Sequence, residues 1–250
     1  GILTQERALR LIENNDVYFD ILYIDEAHNL FKKDKRSILL SRLIRKNKQK
    51  NPTQKILYLS PLVTDSKNLR INSEEIIKEY KIKNNLKEPE YYLYDDNNYS
   101  FKNNRFLGKY YPGSQYNNLY DYIIKNSVSK NFIYHRRPIK VEEIAVTLSN
   151  HLDKVNDIEI EKIKKILKEN VHKDFKLIDT IDKGIIYLHA KLPDSIKDFL
   201  EDKFKNVKSL RYIVANGVIL EGVNLPIKTL FILNTHTLKE KELTNLIGRV

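Results

Sequence analysis

The sequence predicts an α/β fold in which parallel strands are flanked by helices. Short apolar runs alternate with longer amphipathic runs along the chain of 250 residues, and this alternation is typical of parallel α/β proteins. Within the short runs the apolar residues are contiguous, as expected for strands that helices cover on both faces. Hydrophobic residues make up 41% of the chain, which is enough to build one large domain or two smaller ones.

The predicted elements follow one another in a regular order. Helical spacing begins after Thr4, whose hydroxyl can cap a helix that runs through Glu13. Further helices are predicted at residues 37–48, 73–83, 141–152, 159–168 and 194–204. Strands are predicted at residues 19–25, 55–60, 131–135, 184–189, 210–215 and 229–234.

The periodic pattern is lost between residues 86 and 122, a stretch rich in Tyr, Asn and Asp. We interpret this stretch as the connection between two α/β units, with a first unit at residues 1–90, a connector at 91–118 and a second unit at 119–250. Its tyrosines suit two roles, since they can stack on nucleic-acid bases or pack the connector against its neighbours. The tyrosines concerned are Tyr91, Tyr92, Tyr94, Tyr99, Tyr110 and Tyr111.

The charge balance favours a polyanionic partner. Lys and Arg number 44 against 33 Asp and Glu, which gives a net charge of +11. Cationic side chains that neutralise phosphates release condensed counterions, so a surplus of this size favours nucleic-acid binding. A sequence that uses Lys, Asn and Ile freely throughout can carry the same surplus without that function, and charge alone leaves both explanations open.

Composition also excludes several classes of protein. The chain contains no cysteine, so it has neither a disulfide framework nor a Cys-based metal site, and we expect a cytoplasmic location. No apolar run approaches the ~20 residues that span a bilayer. The first residues lack the layout of a signal peptide, so we expect no membrane partner. The chain opens at Gly1, has no Met and stops at Val250 inside an apparent motif, which indicates a fragment.

The tetrapeptide Asp25-Glu26-Ala27-His28 carries the strongest chemical signal. It follows an apolar strand directly, and the carboxyl ends of parallel strands are where open α/β sheets bind ligands. Asp25 is suited to hold Mg²⁺ through water, and Glu26 is suited to orient or deprotonate an attacking water, as nucleoside triphosphate hydrolysis requires. The structural alternative is that Asp25 caps a helix that begins after the strand.

The tetrapeptide resembles the namesake motif of the DExH/DEAH-box helicases of superfamily 2, and other motifs of that family surround it in the family's order. Upstream, residues 3–7 (LTQER) resemble the TPER-type element that contacts the nucleic-acid backbone. Downstream, residues 59–62 (LSPL) end the next strand, where the family has Ser/Thr-Ala-Thr. That motif couples hydrolysis to the nucleic-acid track, and Pro61 and Leu62 depart from it.

The second half of the chain is similar to the branch that contains the exosome-associated RNA helicases and related DNA-repair helicases. The strand and helix at residues 131–152 resemble those that open the second RecA-like lobe, and residues 184–193 (GIIYLHAKLP) resemble the branch's GxxxHHxxLP element. Residues 210–226 (LRYIVANGVILEGVNLP) resemble motif V, and residues 245–250 (NLIGRV) resemble the first half of motif VI. The resemblance covers nearly the whole chain and implies two RecA-like lobes, the first of them incomplete.

The resemblance implies roles for individual residues. Asp25 and Glu26 would bind Mg²⁺–ATP and activate water, and His28 would link this site to Ser60. Arg249 would reach the γ-phosphate from the opposite lobe, where an arginine stabilises the charge of the transition state. The residues implied beside the nucleotide are Gly222, Asn224 and Asn245. The implied contacts to the nucleic-acid backbone are Thr4, Arg7, His189 and Asn216. Arg136 and Arg137 lie just past the carboxyl end of a predicted strand and are placed to meet phosphates, although a solvated basic turn explains them as well.

The function implied by the resemblance is that of an ATP-dependent helicase or translocase. Its cofactors would be ATP and Mg²⁺, and its partner a single-stranded or partly duplex DNA or RNA; the residues leave the oligomeric state open. The sequence contains no Gly-x-x-x-x-Gly-Lys-Ser/Thr loop to cradle the phosphates, so we expect the 250-residue chain alone to hydrolyse ATP poorly or not at all. The alternative is a non-hydrolysing relative that clamps nucleic acid or scaffolds a complex, which Pro61, Leu62 and Asn216 mildly favour.

Overall fold

The computed structural model describes residues 1–31, 35–60, 63, 65–70, 76–81, 88–217, 225–236 and 238–248. The chain forms two compact units, residues 1–86 and 87–250. Both contain parallel strands flanked by helices, which confirms the predicted α/β fold class. None of the helices in the described ranges is long and apolar enough to cross a membrane.

The first unit contains a parallel two-stranded sheet and two long helices. Its elements are helix α1 (Gln5–Asn14), strand β1 (Ile21–Ile24), a 3-10 helix (Ala27–Phe31), helix α2 (Lys35–Lys50), strand β2 (Lys55–Tyr58) and a second 3-10 helix (Ser66–Leu69). The apolar faces of α1 and α2 form one core with Ile24, and Leu22, Ile56 and Tyr58 pack against it. The opposite face of the sheet is open, and Tyr23 is 69% exposed there.

Helix α1 begins as the sequence predicts. The Thr4 hydroxyl accepts a hydrogen bond from the Arg7 backbone N–H at 3.4 Å, as a helix cap does. At the other end of α1, the Lys50 ammonium donates to the carbonyl oxygens of Ile12 and Asn15 at 2.9 and 2.7 Å. These carbonyls have no partner within the helix, so Lys50 ties the end of α1 to the end of α2.

A network of side-chain amides fixes the start of β1. Asn47, which is fully buried on α2, accepts from the Phe19 N–H at 2.7 Å and donates to the Phe19 carbonyl at 2.8 Å. Asn51 donates to the Asp20 carboxylate at 3.1 Å, and Asn47 also donates to the Gln54 side chain at 2.6 Å. Because Asn47 binds both backbone groups of Phe19, it fixes the register of β1 and the position of the residues at the carboxyl end of this strand.

The helix predicted at residues 73–83 is wrong for residues 76–81, which have no helical structure; the rest of that segment lies outside the described residues. Ile76 and Tyr80 would share one face of such a helix, but they are 90% and 89% exposed. Short helices are marginal unless an apolar face is buried, and here that face meets no surface. The Ser66 hydroxyl instead donates to Glu79 at 2.9 Å.

Residues 92–115 form an antiparallel sheet, although no periodicity predicted regular structure there. Its strands are β3 (Tyr92–Tyr94), β4 (Tyr99–Asn104) and β5 (Lys109–Gln115), and it groups with the second unit. Tyr94 stacks on Tyr122 with ring centroids 4.6 Å apart, so this tyrosine packs the sheet onto the unit's core. The other tyrosines of the segment are 40–50% exposed, namely Tyr91, Tyr92, Tyr99, Tyr110 and Tyr111.

A four-stranded parallel sheet forms the centre of the second unit. Its strands are β6 (Asn131–Tyr134), β7 (Ile185–Leu188), β8 (Tyr212–Ala215) and β9 (Thr229–Ile232), in the spatial order β7-β8-β6-β9. The helices of the unit are α3 (Leu119–Lys125), α4 (Pro138–Ser149), α5 (Ile158–Asn170), α6 (Leu177–Ile181), α7 (Asp194–Asn206) and α8 (Glu240–Ile247). Strands β6, β7 and β8 are buried along their whole length, which matches their contiguous apolar sequences.

One buried lysine closes the end of helix α7. Lys130 is 8% exposed, and its ammonium donates to the carbonyl oxygens of Phe204, Val207 and Leu210 at 2.5, 2.7 and 2.7 Å. Burial lowers the pKa of Lys130 to about 8, so at neutral pH the group still carries three N–H donors for three acceptors. The last carbonyls of a helix need partners outside it, and Lys130 supplies them.

Replacing Lys130 with Met should destabilise the second unit. The apolar stem is kept, but three buried carbonyls lose their partner, which we expect to cost about 2–4 kcal/mol. Urea denaturation followed by far-UV circular dichroism measures this loss. The control is Lys125→Met, because Lys125 is 58% exposed and its partners are a surface carboxylate, Asp121, and the ring of Tyr116 at 5.8 Å, but no buried carbonyl. Equal stability of the two variants would show that Lys130 is not a structural cap.

Candidate functional site

The loop after β1 has an unusual backbone. Asp25 follows β1 directly, and its Oδ1 accepts from the Glu26 N–H at 2.8 Å. Glu26 has a φ of +51°, a left-handed conformation that is uncommon for a residue other than glycine. Such strain persists where the surroundings impose it. Here the Ala27 N–H donates to the Leu59 carbonyl at 2.9 Å, and the Leu59 N–H donates to the Ile24 carbonyl at 2.9 Å.

Three side chains form a continuous polar chain at the carboxyl ends of β1 and β2. Glu26 Oε2 lies 3.0 Å from His28 Nε2, and His28 Nδ1 lies 2.9 Å from Ser60 Oγ. The imidazole is 8% exposed, whereas the Glu26 side chain is 42% exposed. A buried imidazole between two polar groups therefore connects a solvent-facing carboxylate to the end of the next strand. The resemblance implied the contact between His28 and Ser60, and the role of this link in a nucleotide site stays a prediction.

The chemistry of the loop fits a magnesium–nucleotide complex. Asp25 is exposed, and its second carboxylate oxygen accepts no hydrogen bond from the described residues. Mg²⁺ usually keeps several waters and takes only one or two protein carboxylates together with substrate phosphates. In the described part of the chain, no three or more His, Asp or Glu side chains gather in a way that could hold a metal ion by themselves.

Several predicted site residues lie outside the described residues. They are Gly222 and Asn224 of the nucleotide set, Arg249 of the catalytic set, and the departures at Pro61 and Leu62. Asn245 is described and lies partly exposed on helix α8. In the first unit, Thr4 and Arg7 are both exposed at the start of α1, where the Thr4 hydroxyl is engaged as the helix cap.

Polar residues also follow the strands of the second unit. His189, Asn216 and His135 come directly after the neighbouring strands β7, β8 and β6. Backbone hydrogen bonds extend the sheet through them, from the Asn216 N–H to the Leu188 carbonyl at 3.4 Å and from the His135 N–H to the Ala215 carbonyl at 3.0 Å. The structure therefore brings these three residues together at one edge of one sheet, with the exposed Arg136 beside them.

His189 is buried rather than presented at the surface. Its ring is 3% exposed, and its Nε2 lies 2.9 Å from Glu142 Oε1 on helix α4. Its Nδ1 accepts from the Lys191 N–H at 3.3 Å, which fixes the turn after β7. Asn216 is also buried, at 8% exposure. Because His189 and Asn216 are buried, the side chains that a ligand can reach at this edge of the sheet are those of the basic residues in the turns after the strands.

Sequence reasoning did not single out Glu142, Lys140 or Lys191. A signal for Lys191 was present in the sequence, because His-x-Arg at residues 135–137 and His-x-Lys at residues 189–191 both follow predicted strands. In both turns the histidine Nδ1 accepts from the N–H two residues further on, at 3.1 Å for Arg137 and 3.3 Å for Lys191. The repeat indicates that the backbones of two basic residues are held in the same way at one edge of the sheet.

The sequence is similar to a curated helicase over almost its whole length. It is 25% identical to the ATP-dependent DNA helicase Hel308 of Thermoplasma volcanium over 264 residues, which covers 99% of this chain and 36% of that protein. The chain thus spans about a third of the length of the curated relative it matches. No protein-family model matches the sequence.

The fold is similar to that of a solved yeast protein, Dbp5. A Dbp5 variant of S. cerevisiae, solved bound to Gle1 and IP6, superposes with a TM-score of 0.56 at 16% sequence identity, covering 98% of this chain and 53% of that one. Identity this low establishes the fold alone, which is the RecA-like α/β fold. The relative found by sequence and the fold of this solved structure both support the resemblance to superfamily-2 helicases that the motifs predicted.

Proposed function

We propose that the whole protein is an ATP-driven motor of the DExH kind that moves on nucleic acid, and that this chain supplies its hydrolytic carboxylates. The observation that carries the proposal is the polar chain from Glu26 through His28 to Ser60. A hydrolytic site alone needs no buried link to the neighbouring strand, whereas a motor needs one. Through this link, a change in the bound nucleotide would alter the residues that contact the nucleic acid.

The carboxylates of the loop have separate tasks in the proposed reaction. Asp25 would hold Mg²⁺–ATP, and the ion supplies charge neutralisation on the phosphates when it is bound. Glu26, which is half-exposed beside Asp25, would orient the attacking water and accept its proton. The left-handed backbone at Glu26 and its 3.0 Å contact with His28 hold this carboxylate in place at the end of β1, so little reorganisation is needed when substrate arrives.

Coupling would follow from the position of His28. When the water is consumed and the γ-phosphate leaves, the charge near Glu26 changes, and His28 lies within 3.0 Å of that carboxylate. The imidazole also contacts Ser60, so a shift in its hydrogen bonding alters the end of β2. Alternation between two such arrangements, each with a different affinity for nucleic acid, would convert hydrolysis into movement.

The proposed partner is a single-stranded or partly duplex DNA or RNA. Support comes from the net charge of +11 and from the exposed cations Arg7 and Arg136 near the predicted contact positions. The helicase branch, the domain boundaries at residues 90 and 118, and a cytoplasmic location stay predictions from the sequence. The nucleotide contacts of Gly222, Asn224, Asn245 and Arg249 also belong to the proposal.

Steady-state ATP hydrolysis by the whole protein tests the proposal. Turnover should be slow without polymer and rise at least several-fold with single-stranded DNA or single-stranded RNA, because strand binding would shift the hydrogen bonding of Ser60 and His28 and thereby act on Glu26. Hydrolysis that is fast and unaffected by either polymer would indicate an ATPase acting on another partner. A flat baseline with tight strand binding would instead establish the non-hydrolysing clamp.

A further inference from the structure

We propose that the turns after β6 and β7 line an open subsite for the sugar–base part of one nucleotide of the bound strand. The inference rests on the proposed function and adds Ile139, Lys140 and Lys191 to Arg137, which the sequence had already named. A cavity of about 310 Å³ lies between the two turns and is lined by Arg137, Pro138, Ile139, Lys140 and Lys191. Its volume is at the lower end of the range of roughly 300–1,000 Å³ that ligand pockets occupy.

The two walls of the cavity are built in the same way. Strands β6 and β7 flank β8 in the sheet, so the turns that follow them lie at the same edge. In each turn a histidine Nδ1 accepts the N–H of the basic residue two positions on, from Arg137 to His135 and from Lys191 to His189. Burial lowers the pKa of His135, so at neutral pH its ring stays an acceptor. Both basic residues are therefore held at fixed backbone positions.

The floor of the cavity is apolar. Pro138 begins helix α4, and Ile139 follows it with its side chain 64% exposed. The buried face of α4 is formed by other residues, namely Val141, Ile144, Ala145 and Leu148. Ile139 thus contributes little to the core, and the cavity places its side chain beside three cations. An apolar surface rimmed by positive charge matches a nucleotide, whose base is flat and uncharged while its phosphates are anionic.

The charge on the rim is largely unneutralised. Within the described part of the chain, neither Arg137 nor Lys191 has a carboxylate within ion-pair distance, and only Lys140 is paired, with Glu143 at 2.5 Å. A cavity of about 360 Å³ on helix α2 provides a contrast. It is also basic, but two of its three cations, Arg42 and Lys46, pair with Glu13, which leaves only Arg45 without a carboxylate among the described residues. The cavity between the turns has two such cations, Arg137 and Lys191, and is therefore the better suited of the two to phosphates.

His189 and Glu142 position the residues that line this subsite. The imidazole bridges helix α4, through Glu142 at 2.9 Å, and the turn that carries Lys191. The two walls of the cavity are thereby fixed relative to one another. His189, which the sequence assigned to direct contact, would in this arrangement influence binding through Lys191.

Binding of labelled oligonucleotides by the 250-residue chain tests the subsite, with fluorescence anisotropy as the readout. The probes are poly(dT) and an abasic strand of equal length, which keeps the phosphates and sugars but has no bases. Ile139→Ser should weaken poly(dT) binding by about tenfold and leave the abasic strand unaffected, because the lost contact is with the base. The matched control is Ile158→Ser, since Ile158 lies at the start of helix α5 and is 72% exposed.

The rim is tested separately. Lys191→Gln should weaken both strands and reduce the slope of log binding constant against log salt by about one, as expected for one lost phosphate contact. Lys208→Gln, which removes an exposed lysine near the opposite edge of the sheet, is the control and should leave the slope unchanged. Circular dichroism verifies that each variant is folded.

The outcomes separate failure of the subsite from failure of the function. The base subsite is wrong if Ile139→Ser binds poly(dT) as tightly as the unmodified chain does. It is also wrong if the abasic strand loses as much affinity as poly(dT). Neither outcome would contradict nucleic-acid binding by the chain. If the unmodified chain binds neither poly(dT) nor poly(U), the proposed function fails together with the subsite. Tight capture of an acidic peptide under those conditions would assign the cavity to a protein partner.

Discussion

Replacing Glu26 with Gln is expected to reduce ATP turnover by the whole protein by about 10²-fold or more, because the amide cannot accept a proton from the attacking water. The substitution keeps the shape of the side chain, so its contact with His28, now 3.0 Å, can be retained as a hydrogen bond. Affinity for ATP and for a single strand should therefore change little. Turnover is measured by phosphate release, and affinity by fluorescence anisotropy.

Asp16→Asn is the matched control for this prediction. Asp16 lies in the same unit, its side chain is fully exposed, and it forms only a long 3.7 Å pair with Lys50. Its replacement should leave turnover unchanged. If Glu26→Gln hydrolyses ATP within about twofold of the native rate, the nucleotide site is not at the end of β1, and the proposed mechanism has no base.

Replacing Gly184 with Ala should have the largest effect on stability. Gly184 has a φ of +74°, and a Cβ added there would lie 2.4 Å from the Ser209 carbonyl oxygen. The Gly184 carbonyl also accepts from the N–H groups of Arg211 and Tyr212, at 2.8 and 3.1 Å, so the backbone cannot move without breaking the β7–β8 pairing. We expect a loss of about 3–5 kcal/mol, from a left-handed alanine plus overpacking.

Gly108 provides the control, because it has nearly the same φ of +61° but no atom within 4 Å of an added Cβ. Gly108→Ala should cost only the conformational part, about 1–2 kcal/mol. Urea unfolding of the two variants separates the terms, and the difference between them measures the contact with Ser209. Equal losses would show that the backbone at residue 184 relaxes freely, contrary to the described pairing.

The parallel strands were the most predictable part of the fold. Each predicted strand is present with its ends shortened, such as β7 at Ile185–Leu188 within the predicted 184–189. Strands covered on both faces need continuous apolar sequences, and helices of the same length seldom have them, so this signal is strong. Thr4 as the cap of α1 was predictable for a similar reason, because the signal is local.

The antiparallel sheet was not predictable from periodicity. Strand β5 is exposed along all its residues, so its sequence shows no alternation of apolar and polar positions. The helix expected at residues 73–83 failed for the opposite reason, since helical spacing was present but Ile77 alone of residues 76–81 packs against the core, while Ile76 and Tyr80 stay exposed. Both cases depend on tertiary contacts, which override local preference.

The candidate site also has a part that the sequence could predict and a part that it could not. Asp25, Glu26 and His28 lie within four residues and follow a strand, so sequence alone placed them together, and the resemblance supplied Ser60. The pairing of His189 with Glu142 joins residues far apart in sequence. It depends on the strand order β7-β8-β6-β9, which hydrophobic periodicity does not reveal. A lysine in a lysine-rich chain carries no signal by itself, and the signal for Lys191 lies only in the repeat of His-x-Arg at residues 135–137 and His-x-Lys at residues 189–191.

A translocation assay tests the central claim most directly. The whole protein is bound to single strands of increasing length that carry a fluorophore at one end, and ATP is added in a stopped-flow instrument. If the protein is a motor, the delay before the fluorescence changes should grow in proportion to strand length and disappear in Glu26→Gln. ATP hydrolysis with a delay independent of length would contradict the account, because the carboxylates would then serve an ATPase that does not move along the strand.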